Sequence, residues 1–303
     1  MRPRLLAFGR FLLGVMVAVV ANLVAGAASR SFSSALRSDL LYRPLLALLL
    51  IFGFLLVLKG MDHVEDAPLE ALKLSLSGGW LRELLAGLLL GVLLVALAAI
   101  ALAAAGLHMQ AHLTAHAVAA TVAVVFVLAT GALAEELMFR GYPFQRLVEA
   151  IGPVAAVVFL SALFGATHLL NPHVSRWAVM DTAFVGVLLS LAYLRTRRLW
   201  LPWGLHFAWN ATLGLVFGLP VSGLTEFAVV VRAQTAGPQW LTGGSYGIEA
   251  SVTGAAAVLV GIVVLLLITR GWVAYRPVPQ PALAALSLTD DALADEDDRQ
   301  PFR

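Results

Sequence analysis

Three short stretches of a largely apolar chain carry the side chains that could do chemistry. They read EELMFR at 135–140, FGATH at 164–168 and HFAWN at 206–210. An ionisable side chain deep in a bilayer costs about 2.5–3.5 kcal/mol on insertion scales, and such groups usually serve a function. These stretches therefore hold the candidate functional residues.

The first stretch directs its two carboxylates to different sides of a helix. Residues four apart share a helix face, whereas neighbours diverge by about 100°. Glu136 therefore lies beside Arg140, and Glu135 lies beside Phe139. The spacing predicts a structural Glu136–Arg140 pair next to a freer Glu135 that could act as a base. The alternative is that both acids only mark the cytoplasmic end of a helix.

The third stretch places His206 and Asn210 four residues apart, and so on one helix face. A lone histidine at this position would more often be an interfacial or hydrogen-bonded core residue. The asparagine on the same face adds a second polar group directed at the same point. Two such donors could stabilise a developing oxyanion.

The second stretch meets the first if two spans run antiparallel. The chain turns near 151–153, and Glu135 lies 16 residues before Ile151 while His168 lies 17 after it. A carboxylate and an imidazole at similar depth could share one water, as a general-base pair would. His206 does not fit simple spans, because a 17-residue helix of about 25 Å would separate it from His168. The spacing alone leaves open how the two histidines meet.

The three motifs together, EExxxR, FxxxH and HxxxN, resemble those of the CAAX-processing and bacteriocin-processing intramembrane endopeptidases, the CPBP or Abi family. The resemblance covers about residues 117–218 and includes the flanking FRGYPFQRL. It implies an endopeptidase that cleaves a membrane-tethered or prenylated-like peptide or protein within the lipid bilayer.

The resemblance also implies a role for each motif residue. Glu135 and His168 would activate water, while His206 and Asn210 would stabilise the oxyanion. Arg140 would be structural or would bind the carboxyl end of the substrate.

The resemblance leaves the need for a metal open, since this family has been described both as metal-dependent and as glutamate-based. Glu135, His168 and His206 would supply the three protein ligands that a catalytic zinc uses. Against zinc, the chain has no HExxH motif, and asparagine is a poor zinc ligand. We therefore expect Glu135 and His168 to activate water without a required metal. No other cofactor and no nucleic-acid partner is expected.

Composition identifies the elements that must position these residues. The 303 residues are 60% hydrophobic and 13% charged, without cysteine, whereas soluble domains are about half apolar. The excess lies in long runs, which predict an all-α, polytopic transmembrane helix bundle over residues 1–276, with 117–218 as the protease motif core. The acidic tail at 277–303 is predicted to be disordered. About eight spans are predicted, at 5–26, 41–58, 81–105, 117–138, 152–169, 178–194, 201–218 and 252–269.

The distribution of basic residues predicts the orientation. If the N-terminus is cytoplasmic, the inside segments hold 15 of the 20 lysine and arginine residues and the outside segments hold 5. By the positive-inside rule, both termini then lie in the cytoplasm of a multi-pass protein, which we expect in a prokaryotic plasma membrane. The outside cluster Arg30, Arg37 and Arg43 opposes this assignment.

Two other functions remain as alternatives. A proton-coupled transporter could use buried glutamate and histidine as a relay, but it would need polar groups at several depths, whereas these converge on three motifs. A catalytically inactive member could serve as a membrane partner or immunity protein. The intact motif set argues against this second alternative.

Overall fold

The computed structural model describes residues 2–35, 42–60, 74, 76, 78–104, 106–112 and 114–272. The predicted acidic tail at 277–303 lies outside the described residues.

Helices dominate the described chain, and each of the eight predicted spans falls on one. The long runs of apolar residues form helices because a helix satisfies its own backbone hydrogen bonds in lipid. This confirms the predicted all-α bundle. The helices are α1 (Arg2–Ala35), α2 (Tyr42–Gly60), α3 (Trp80–Ala104), α4 (Ala117–Arg140), α5 (Tyr142–Ile151), α6 (Pro153–Thr167), α7 (Arg176–Thr196), α8 (Trp200–Ala211), α9 (Gln239–Thr242) and α10 (Val252–Ile268).

Not every predicted span is long enough to cross a bilayer alone. In the described chain, α10 and the apolar part of α2 are shorter apolar helices, and α8 is a 12-residue helix followed by a π-helical turn at Thr212–Val216. Within the residues that the structure describes, five segments are long and apolar enough: Pro3–Ser31, Trp80–Ala104, Ala117–Ile151, Pro153–Leu170 and Arg176–Thr196.

Glycines bring α3 and α8 into close contact. A Cβ added at Gly91 of α3 would lie 2.6 Å from the Leu205 carbonyl oxygen, and one at Gly204 of α8 would lie 2.6 Å from that of Leu84. Small residues at helix interfaces let backbones approach in this way inside a membrane. On its α4 side, α8 is held by Trp203 Nε1, which donates to the Ala129 carbonyl at 2.8 Å. These contacts fix the position of the HFAWN stretch.

A second glycine contact joins α6 to α7. A Cβ at Gly165 would lie 2.5 Å from the Val179 carbonyl oxygen, and one at Gly186 would lie 3.0 Å from the Ser161 Cα. The FGATH stretch therefore lies directly against α7. It ends α6, and the chain continues as a single 3₁₀ turn at His168–Leu170.

Gly141 separates α4 from α5, a break that the simple spans did not include. A Cβ at this position would lie 2.3 Å from the Leu137 carbonyl oxygen, so only glycine fits the turn. The following helix α5 buries Tyr142, Phe144 and Leu147, and it packs on α1.

The segment between α8 and α10 folds back onto the bundle. Its strand β2 (Val231–Thr235) pairs antiparallel with β1 (Leu107–Ala111), which follows α3. A tight turn at 221–224 is closed by hydrogen bonds between Val221 and Leu224 in both directions. A 3₁₀ turn at Ile248–Ala250 leads into α10.

Candidate active site

A cavity of about 650 Å³ brings the predicted catalytic side chains together. Glu135, His168, His206 and Asn210 all line it. They come from α4, the end of α6 and α8, three elements that are separate in sequence. Much of the remaining lining is apolar and belongs to α1, α2 and α4.

Glu136 is the centre of a buried polar cluster beneath this cavity. Arg140 Nη1 lies 3.1 Å from Glu136 Oε1, as the four-residue spacing predicts. The same oxygen lies 2.8 Å from His206 Nδ1. Glu136 is 0% exposed and His206 is 7% exposed. A carboxylate accepts hydrogen bonds, so Nδ1 is the donating nitrogen of His206. The Glu136–His206 contact was not predicted.

Arg140 connects α4 to α7 and to the second motif. Its Nη2 donates to the Gly186 carbonyl at 3.2 Å, and its Cζ lies 4.5 Å from the centre of the Phe164 ring. The side chain is 1% exposed and is absent from the cavity lining. This burial favours the structural role over binding of a substrate carboxyl group.

Glu135 presents its carboxylate to the cavity. Its side chain is 36% exposed, in contrast to its buried neighbour Glu136. Its Oε2 lies 3.8 Å from His206 Nε2, which is beyond hydrogen-bond distance. Among the described residues, that oxygen has no hydrogen-bond partner. This oxygen is itself buried, while the side chain lines the cavity. A carboxylate oxygen that accepts no hydrogen bond keeps its lone pairs available for a proton.

The two histidines both lie beside one phenyl ring, that of Phe164. The Phe164 ring centre is 5.0 Å from that of His168 and 6.1 Å from that of His206. The 25 Å separation expected from simple spans is therefore wrong. The expectation rested on helix length alone. In the structure, His206 of α8 reaches Glu136 of α4, and Phe164 of α6 lies beside both histidines.

The hydrogen bond of His168 identifies its free nitrogen. Its Nδ1 lies 2.8 Å from the Phe164 carbonyl oxygen. A carbonyl only accepts, so Nδ1 carries the proton and Nε2 holds the lone pair of the neutral ring. His168 can therefore accept a second proton at Nε2.

One cavity-lining acid, Glu249, was missed by the sequence analysis. It lies in the 3₁₀ turn before α10 and accepts hydrogen bonds from Trp209 and Ser222. Burial raises the pKa of Glu249 above the ordinary range of a glutamate. The signal in the sequence was an ionisable residue three positions before an apolar run, but no motif partner accompanied it.

The described side chains do not form a metal site at this position. Within the described part of the chain, no three histidine, cysteine or acidic side chains come close enough together to hold a metal ion. The suggested ligand set Glu135, His168 and His206 is not among such groups.

All three motifs lie in one segment that matches a known family. Residues 116–212 match Rce1-like type II CAAX prenyl endopeptidases. The Rce1-like segment begins just before α4 and ends just after α8, so it contains every motif residue. It confirms the resemblance drawn from the motifs. Comparison with curated proteins and with solved structures gives no match.

The helices and the Rce1-like segment each bear on the class of protein. The long apolar helices make the chain an integral membrane protein. The match over residues 116–212 supports a CAAX-type intramembrane protease. Helices α1 to α3 and everything after residue 212 lie outside the matched segment.

Proposed function

We propose that the chain is an endopeptidase that hydrolyses a peptide bond of a membrane-associated substrate in this cavity. The observation that carries the proposal is the convergence of Glu135, His168, His206 and Asn210 on one cavity. These four side chains include proton acceptors and hydrogen-bond donors, the two kinds of group that peptide hydrolysis needs.

The first step is activation of water. Glu135 has a carboxylate oxygen without a hydrogen-bond partner among the described residues, and His168 has a free Nε2. One of these two groups takes a proton from water as the water oxygen attacks the carbonyl carbon of the peptide. The carbonyl oxygen then takes up the negative charge. A positioned general base contributes about 10²–10⁴-fold to such a step.

The second step is stabilisation of that oxyanion by His206 and Asn210. His206 uses Nδ1 to donate to Glu136, so Nε2 must be the nitrogen that faces the substrate. Donation from Nε2 then needs the doubly protonated ring, whose positive charge Glu135 and Glu136 flank. Asn210 supplies an amide N–H one helical turn further along α8.

The last step is release of the amine. The C–N bond breaks as the tetrahedral intermediate collapses, and the proton taken from water passes to the departing nitrogen. The products are a carboxylic acid and an amine, so atoms and charges balance with one water consumed. Glu135 and His168 return to their starting protonation states.

The apolar wall of the cavity supports a lipid-modified substrate. Val15 and Leu23 of α1 and Leu46 and Leu50 of α2 line the cavity that also holds Glu135. An isoprenoid chain on a cysteine near the scissile bond could bury its apolar surface there, at roughly 25 cal/mol per Å². The substrate class that the family name gives, a prenylated CAAX peptide, is therefore the first one to test.

The test uses purified protein in liposomes and an internally quenched peptide that ends in a farnesylated CAAX sequence. The wild-type protein should cleave it, and the unprenylated peptide should be a poorer substrate. Glu135→Gln, His168→Ala, His206→Ala and Asn210→Ala should each lower kcat by at least about 10²-fold. Binding of the peptide without cleavage by the wild type would instead support the inactive membrane partner.

A further inference from the structure

Glu249 is a buried carboxylate on the cavity that the hydrolytic steps above do not use. It is 7% exposed, lines the cavity and lies 37 residues beyond the end of the Rce1-like segment at 212. A buried carboxylate is costly unless hydrogen bonds compensate it. Its contacts therefore indicate what the chain gains by keeping it.

Both carboxylate oxygens of Glu249 are occupied by donors from other elements. Oε1 accepts from Trp209 Nε1 at 3.1 Å. Oε2 accepts from the backbone N–H of Ser222 and from its hydroxyl at 3.0 Å. Trp209 directly precedes Asn210 on α8, so one end of Glu249 holds the helix that carries the third motif.

The other end of Glu249 reaches the second motif through Ser222. The Ser222 backbone is left-handed, with φ +47°, a conformation that a non-glycine residue adopts only when its surroundings hold it. Its carbonyl oxygen accepts from Asn171 Nδ2 at 3.0 Å. Asn171 directly follows the 3₁₀ turn that begins with His168.

These contacts form one path of hydrogen bonds, Trp209–Glu249–Ser222–Asn171. The path joins α8, which carries the third motif, to the turn that begins with His168. We propose that Glu249 is a positioning residue of the protease, which sets the place of His168 relative to His206 and Asn210 by bridging Trp209 and Ser222. The inference rests on the proposed function, and it assigns a role in catalysis to a residue outside all three motifs.

The decisive variant is Glu249→Gln, which keeps the size of the side chain but replaces one acceptor oxygen by an NH₂ group that cannot accept. With the quenched prenylated peptide, kcat should fall by about 100-fold, the loss expected from a misplacement of about 1 Å, while KM stays within about twofold. Glu83→Gln is the matched control, because Glu83 is a buried carboxylate bonded to Arg198 and absent from the cavity lining. It should lower the melting temperature but leave kcat unchanged.

A mutant cycle separates positioning from a general effect on folding. Trp209→Phe keeps an aromatic ring and removes the Nε1–H donor. If Glu249 acts through Trp209, the double variant with Glu249→Gln should lose little more kcat than Glu249→Gln alone. If Glu249 had only a structural role, the fold losses of kcat in the two single variants would multiply in the double variant. The losses would also increase as the melting temperature falls.

A second readout does not depend on activity. The chain has seven tryptophans, so 5-fluorotryptophan labelling gives seven ¹⁹F signals, and Trp209→Phe identifies the one from Trp209. Glu249→Gln should move that signal, whereas Glu83→Gln should not. An unmoved signal would show that the hydrogen bond between Trp209 and Glu249 does not form in the membrane protein.

The outcomes distinguish the two proposals. If the wild type cleaves the peptide and Glu249→Gln retains full kcat, the positioning role is overturned while the proposed function stands. If the wild type cleaves no prenylated peptide, the proposed function fails and a catalytic role for Glu249 fails with it. The ¹⁹F spectrum would still show whether the hydrogen bond forms.

Discussion

Replacing each of the two adjacent glutamates by glutamine should have different effects: Glu135→Gln should lose activity, and Glu136→Gln should lose stability. Glu135→Gln removes a partly exposed carboxylate that faces the cavity and has one oxygen without a hydrogen-bond partner among the described residues. Folding should therefore be nearly unchanged, whereas peptide cleavage should fall by about 10²–10⁴-fold. The change alters chemistry and leaves packing intact.

Glu136→Gln should instead destabilise the protein. Glu136 is the acidic partner of Arg140, which is 1% exposed. Without Glu136, Arg140 would keep its contacts with the Gly186 carbonyl and with the Phe164 and Phe139 rings, none of which carries a negative charge. A buried charge left without its partner costs about 3–5 kcal/mol. A loss of about 1 kcal/mol lowers the melting temperature of a domain of this size by roughly 2–4 °C. The melting temperature of Glu136→Gln should therefore drop by about 10 °C. Cleavage should also fall, because His206 loses its hydrogen bond.

A double variant and a control at a less buried ion pair complete the experiment. Glu136→Gln with Arg140→Gln should recover part of the lost stability, because no lone charge remains. Glu149→Gln removes a similar acid from its pair with Arg146, whose side chains are 17–21% exposed. The charge left behind is less buried than that of Arg140, so the loss of stability should be smaller. Thermal melts in detergent and peptide cleavage are measured for all variants. A Glu135→Gln protein that is unstable, beside a stable and inactive Glu136→Gln protein, would show that the two roles are reversed.

Three further predictions concern packing, metal and orientation. Gly91→Ala should lower stability by about 1–3 kcal/mol, because its Cβ would lie 2.6 Å from the Leu205 carbonyl oxygen. The added Cβ of Gly9→Ala would have no atom within 4 Å, so this control should leave stability unchanged. Equal melting temperatures of the two variants would contradict the close packing of α3 and α8. Cleavage should continue after treatment with a chelator. This prediction would be refuted if elemental analysis finds stoichiometric zinc and if activity is lost on chelation and restored by zinc. Reporter fusions after Arg276 should be active in the cytoplasm, and reporters active only outside would refute the predicted topology.

The sequence predicts those parts of the site that depend on contacts within one helix. The four-residue spacing places Arg140 beside Glu136, and it places Asn210 on the cavity side with His206. Helix positions follow equally well, because the apolar runs have few other stable structures in lipid. Both kinds of prediction need only local geometry.

Contacts between distant segments could not be predicted in the same way. The bond from His206 to Glu136 joins residues 70 apart, and it depends on how closely the glycines let α8 approach its neighbours. The start of α8 was predicted to within one residue, but hydropathy does not reveal the packing that brings His206 to Glu136 and Phe164. Glu249 acts through a loop whose path is set by Ser222 and by the turn at 221–224, so its role needs the folded structure.

The most direct test of the central claim is the source of the oxygen in the new carboxyl group. Wild-type protein and Glu135→Gln, both in liposomes, are incubated with the prenylated peptide in H₂¹⁸O, and the products are analysed by mass spectrometry. The account predicts that the wild type releases a fragment whose new carboxyl end carries one ¹⁸O atom, and that Glu135→Gln releases at least about 100-fold less. Equal release by the two proteins, or no release by the wild type, would contradict it.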